Sequence, residues 1–244
     1  MKNLLVVELL KLKGSKIWWI VTLAPALMVW QGLMNLKPYH DLFTGDGQSI
    51  WQALYTQSML YYAVILFPLI ISLVMTFTAR LEHAHRGWQQ YLSLPVKRQR
   101  VFLIKFLVAA LLVFLNVITF IFTMLMAGLS LGIEEEIPGQ ILLVRPLGLY
   151  LAALPMMAVL YVVSLRFAQL AVPLGLGIGL SLPAILVANT RFWFVYPWTY
   201  PIMAALGGDM EVFHKGPIVF GLSLTIFLGV LLYGMWNFCR RDLV

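Results

Sequence analysis

RLEHAHRGWQQYLSLPVKRQRVFLIK, residues Arg80–Lys105, is a polar island between two long apolar runs, Ser58–Ala79 and Phe106–Leu131. It carries Arg80, Arg86, Lys97, Arg98, Arg100 and Lys105, a third of the lysines and arginines of the chain. A segment this basic stays in water. Each flanking run is long enough to cross a hydrocarbon core of roughly 30 Å, for which about 20 apolar residues suffice. The island therefore lies at a membrane surface with a crossing on either side, and the expected fold is all-α and membrane-spanning.

The rest of the chain fits that reading. A sequence that is 61% hydrophobic and 11% charged lies outside the soluble globular range. Six apolar stretches are expected to cross: residues 17–35, 58–79, 106–131, 147–164, 169–188 and 217–238. Only Arg166 and Gln169 separate the fourth from the fifth. Ala24-Pro25-Ala26 has the look of a signal-peptidase site, but the apolar run continues to Met34, so an uncleaved span is expected. With the N-terminus inside, Lys2, Lys11, Lys13, Lys16, the six cations of the island, Arg166, Arg240 and Arg241 face the cytoplasm. Only Lys37, Arg145, Arg191 and Lys215 fall outside. That asymmetry is the positive-inside pattern and predicts that both termini are cytoplasmic, with anionic lipid headgroups as the counter-charge. Residues 1–244 thus form one transmembrane domain.

Three segments stand out besides the island. Residues 1–16 mix Leu4, Leu5, Leu9, Leu10 and Leu12 with Glu8, Lys11 and Lys13, which predicts a helix lying in the membrane interface or a plain extension of the first span. Asn116, Thr119 and Thr123 follow helical spacing in the third span. They either line a substrate path or hydrogen-bond to a neighbouring helix. Residues 189–216 contain Phe192, Trp193, Phe194, Tyr196, Trp198 and Tyr200. Trp and Tyr favour the membrane interface, so this extracellular segment is either an aromatic anchor or a lid over a lateral path. Gly175, Gly177 and Gly179 lie in an apolar helix and not after a strand, so they are no phosphate cradle; Gly175 and Gly179 are expected to serve close helix packing.

Several chemistries are excluded. No G-x-x-x-x-G-K-[ST] occurs, so nucleotide hydrolysis belongs to another polypeptide and the chain is not an enzyme. No histidine falls in a span to serve as base for an intramembrane serine protease. No span interior carries the carboxylate, His or Lys that gradient-driven transporters use. Glu134-Glu135-Glu136 is a solvated loop without further ligand spacing, and His83 and His85 lack companions, so no metal site is expected. No nucleic-acid motif is present. Cys239 is the only cysteine.

Glu82, Trp88, the YLSLP of Tyr91–Pro95, Lys97-Arg98 and Lys105 together resemble the coupling region of permease subunits of type-2 ABC exporters, particularly the lantibiotic-immunity transporters. The opening ELLKLKGS of Glu8–Ser15, followed by Trp18-Trp19, resembles the amphipathic start of the same proteins. The resemblance implies a permease in a bacterial cytoplasmic membrane, paired with a second copy or a related permease and bound to two ATPase subunits. ATP and magnesium would be held by those subunits and no cofactor by this chain. A short cytoplasmic coupling helix bearing Glu82, Arg86, Gly87, Trp88, Tyr91, Leu92 and Leu94 would dock on each ATPase, while Lys97–Lys105 would hold the third span at the lipid headgroups. The implied cargo is a cationic, amphipathic antimicrobial peptide removed from the membrane; another amphiphile such as a drug or lipid is the alternative. A stand-alone gradient-driven transporter is the reading from a different class.

Overall fold

A computed structural model describes residues 2–39, 49–83, 97–133, 135–167, 169–207, 213 and 215–240. Those residues are helical or in short connections, with no strand among them. The chain opens with α1 (Lys2–Leu12) and α2 (Ile17–Leu36). Next come α3 (Ile50–Tyr61) and α4 (Phe67–His83), joined by a π-helical turn over Tyr62–Leu66. Then follows α5 (Arg98–Ser130). A second π-turn, Gln140–Val144, leads into α6 (Arg145–Ala152) and α7 (Leu154–Arg166). Three short helices, α8 (Ala171–Ser181), α9 (Ala184–Ala188) and α10 (Thr199–Leu206), precede the last long helix, α11 (Ile218–Arg240).

Among the described residues, four helical stretches suffice by length and apolarity to cross a membrane: Ile17–Leu36, Ile50–Leu81, Arg98–Ser130 and Ile218–Arg240. A fifth is Gln140–Ala152 with Leu154–Arg166, bent by 41°. The bend falls at Ala153, just before Pro155, whose missing N–H and fixed φ interrupt the helical ladder. This span begins earlier than the expected Leu147 because Pro146, which reads as a loop residue, occupies the first turn of α6, where proline is tolerated. Arg145, expected in a loop, is consequently the first residue of that helix. The stretch expected as the fifth span is broken into α8 and α9 at Leu182-Pro183. Its longer piece has 11 residues, about 16 Å at 1.5 Å per residue, which is roughly half a crossing.

Packing is organised around α5, whose 33 residues reach about 50 Å. Helix α2 lies along α5 and α3; α4 packs on α7 and α8; α7 packs on α11; α10 packs on α6. Close approach is bought by small residues. A Cβ on Gly177 would sit 1.7 Å from Ser72 Oγ, so α8 touches α4 through this glycine. Gly175 and Gly179, expected to make the close contact, have nothing within 4 Å of where a Cβ would be. The expectation took the wrong two of the three glycines, because the face that packs is decided by the neighbouring helix and not by the spacing.

Candidate functional site

One end of the bundle gathers α1, the start of α5 and the end of α11. Helix α1 buries Glu8 and Leu12 against the bundle and leaves Val6, Val7, Leu9 and Leu10 exposed. Its outward face is apolar, as suits a helix lying against lipid. Glu8 is 4% exposed and Lys105 1%. Lys105 Nζ donates to Glu8 Oε2 at 2.8 Å, and Lys11 Nζ donates to Glu8 Oε1 at 3.2 Å. Lys105 was expected at the headgroups; it points inward instead and ties α5 to α1. Nearby, Trp18 Nε1 donates to the Leu12 carbonyl at 3.0 Å, closing the corner between α1 and α2. An Arg98 guanidinium N–H donates to the Cys239 carbonyl at 3.2 Å, joining the first turn of α5 to the last turn of α11. Lys13 is exposed and stays outside this cluster.

The segment expected to form the coupling helix lies in the sequence between His83 and Lys97. Glu82 falls in the last turn of α4. Its side chain, and Arg86, Gly87, Trp88, Tyr91, Leu92 and Leu94, lie outside the described residues.

In the middle of the bundle Asn116 is fully buried. Its Nδ2 donates to the Val21 carbonyl of α2 at 2.7 Å, and its Oδ1 accepts from Tyr62 Oη at 2.7 Å. The reason lies four residues further along α2. Pro25 has no N–H to give to Val21, so that carbonyl would be left without a helical partner in a region without water. Asn116 supplies the missing donor. Tyr62, which begins the first π-turn, stacks on Phe120 with ring centroids 4.4 Å apart. The same device recurs at the bend: Ser223 Oγ of α11 donates to the Leu151 carbonyl at 3.0 Å, and Leu151 is four residues before Pro155. Thr119 and Thr123 return their hydroxyls to carbonyls of their own helix, Leu115 at 2.9 Å and Thr119 at 2.8 Å. Of the three polar residues in the third span, Asn116 is thus committed to helix-to-helix bonding.

At the opposite end the aromatic segment divides into two sets. Phe192 and Phe194 are exposed, whereas Trp198 and Tyr200 are buried and Trp193 and Tyr196 partly so. Tyr196 Oη donates to the Leu180 carbonyl at 2.7 Å and Trp198 Nε1 to the Gly177 carbonyl at 3.2 Å. Leu180 lies in the last turn of α8, where helix C-termini leave carbonyls without intrahelical partners, and Gly177 lies one turn earlier. Burial pushes the Tyr196 hydroxyl above its ordinary pKa, which keeps it a donor. Tyr200 Oη donates to the Phe194 carbonyl. Residues 199–206 were expected to belong to an extracellular loop, but they form α10, almost wholly buried against α6. At eight residues it is too short to be noticed as a span, and Pro201 reads as a breaker. Tyr55 Oη of α3 donates to the Ala205 carbonyl of α10 at 3.0 Å, and the Arg145 guanidinium lies 5.6 Å from the centre of the Tyr55 ring.

Residues 4–184, about three quarters of the chain, match the family described as ABC-2 family transporter protein. The chain belongs to that family. No curated protein and no solved structure matches it. The matched region runs from α1 through α8, so the Glu8–Lys105 pair of this ABC-2 family transporter lies inside it, while the aromatic segment, α10 and α11 lie beyond it. As a member it is a multi-pass membrane component of an ABC transporter.

Proposed function

We propose that this chain is the permease of an ATP-driven exporter that removes an amphipathic antimicrobial peptide of the lantibiotic type from a bacterial cytoplasmic membrane. In this reading it crosses six times, with α8 and α9 as a crossing in two pieces, and both termini are cytoplasmic. Two permeases, identical or related, bind two ATPase subunits that hold ATP and magnesium. The observation that carries the reading is the family membership of a chain without a nucleotide-binding motif. The Glu8–Lys105 pair adds a physical route. A force applied through the segment that precedes α5 in the sequence would reach the start of α5, and the buried ion pair would carry it into α1.

Co-expression with the neighbouring ATPase tests the proposal. The ATPase should co-purify with the wild-type chain, and Trp88→Ala should insert into the membrane normally but release it. A permease purified without any ATPase, or one that moves cargo in vesicles lacking nucleotide, would overturn the reading. Peptide-stimulated ATP hydrolysis separates antimicrobial peptides from other amphiphiles as cargo.

A further inference from the structure

We infer that the cleft between α6, α10 and the start of α11 binds the phosphate headgroup of an anionic phospholipid. The cleft has a volume of about 280 Å³, and its polar lining includes Gln140, Arg145 and Lys215. It lies at the end of the bundle away from α1, since Arg145 reaches Tyr55, near the start of α3. That end is sparing with cations: Lys37, Arg145, Arg191 and Lys215 are its whole allotment in the six-span layout, and two of them meet here. A cation at a helix end inside a membrane protein is retained where it has an anion to meet. Basic pockets between transmembrane helices bind anionic headgroups at cytoplasmic surfaces, and the same charge pairing is on offer at this end.

The surroundings select a lipid. Val144, 62% exposed, and Phe220, 39% exposed, frame the cleft, so its mouth opens to the hydrocarbon side and acyl chains can lie against apolar walls while the phosphate reaches inward. Arg145 is fixed in direction by its contact with Tyr55, whose hydroxyl is in turn bound to α10. A guanidinium has five N–H donors and can share them between a phosphate and other partners. Lys215 enters no ion pair among the described residues. A cationic peptide would be repelled by the pair, so the site is distinct from a path for such a cargo, and the inference rests on the six-span layout but not on which cargo is carried.

Photo-labelling tests it. The full chain is reconstituted in phosphatidylcholine vesicles with a trace of phosphatidylglycerol bearing a diazirine on one acyl chain, and the labelled peptides are mapped. Labelling around Val144 and Phe220 should exceed that from the matching phosphatidylcholine probe. Lys215→Gln should lower it about five-fold, the scale of one basic residue near anionic lipid. Labelling beside residues 97–105 should not change, and Lys215→Arg should restore the signal. Arg145→Gln should act in the same direction, but Lys215 is the decisive variant because it is not packed in the core. Equal labelling by the two probes, as would follow if Asp209 and Glu211 neutralised the cleft, overturns the inference, as does an undiminished signal in Lys215→Gln. Loss of labelling in excess inorganic phosphate would assign the site to a free anion and overturn the lipid; insensitivity to it supports the lipid.

Discussion

The two ends of the bundle are fastened by different chemistry. At the α1 end a buried carboxylate, Glu8, takes charge-assisted bonds from Lys105 and Lys11. At the far end neutral donors, Tyr55, Tyr196 and Trp198, each satisfy one backbone carbonyl. The difference teaches where the fold can tolerate loss. Removing one member of a buried ion pair strands the other charge, which costs about 3–5 kcal/mol. Removing one neutral donor leaves a single polar group unmet, at about 1–3 kcal/mol. A rigid ionic joint therefore stands between α1 and the start of α5, and a set of separable bonds stands where the short helices fold back.

The largest expected effect breaks the first side of this comparison. Lys105→Ala should destabilise the detergent-solubilised chain by about 3–5 kcal/mol in thermal unfolding, and Glu8→Met with Lys105→Met should recover most of that loss, because no charge is left stranded. If the double variant is no better than the single ones, the pair is not what holds α1. Next, Asn116→Ala should cost about 2–3 kcal/mol, since it leaves both the Val21 carbonyl and the Tyr62 hydroxyl unmet. In a double-mutant cycle, Pro25→Ala should shrink that cost by at least about 0.5 kcal/mol, because the helix then supplies its own donor. Independent effects would refute the proline repair. Gly177→Leu should cost about 1–3 kcal/mol by forcing α8 from α4, while the same change at Gly175 should stay within about 0.5 kcal/mol. The smallest effect is Tyr196→Phe, about 1 kcal/mol, read as faster proteolysis near Pro183 without loss of α1 packing.

How much of this could be read beforehand depended on whether a feature is local. The expected first, third and last spans correspond to α2, α5 and α11, because an unbroken apolar run of that length admits little else. The stretches with prolines were harder. Pro146 begins a helix, Pro155 bends one and Pro183 breaks one, and only the packing around each decides which. Asn116 was visible as a polar residue in a span, and its partner was not, because the need for it arises at Pro25, 91 positions away in the sequence. Lys105 looked like a headgroup contact. It stands seven residues after Arg98, two turns along a helix, and Glu8 is the only acid before residue 41, so the pair was within reach of helical spacing combined with charge bookkeeping. Helix α10 was out of reach, since eight residues with an internal proline carry no length signal.

The bond from Asn116 to Val21 has a consequence for movement. Pro25 leaves one vacant acceptor at one height on α2, and α5 offers its amide at that height. A slip of one helical turn, 5.4 Å, would separate them and leave an acceptor facing hydrocarbon. The first and third crossings are thereby keyed like a shaft and its collar: whatever displaces α5 along its axis must carry α2 with it.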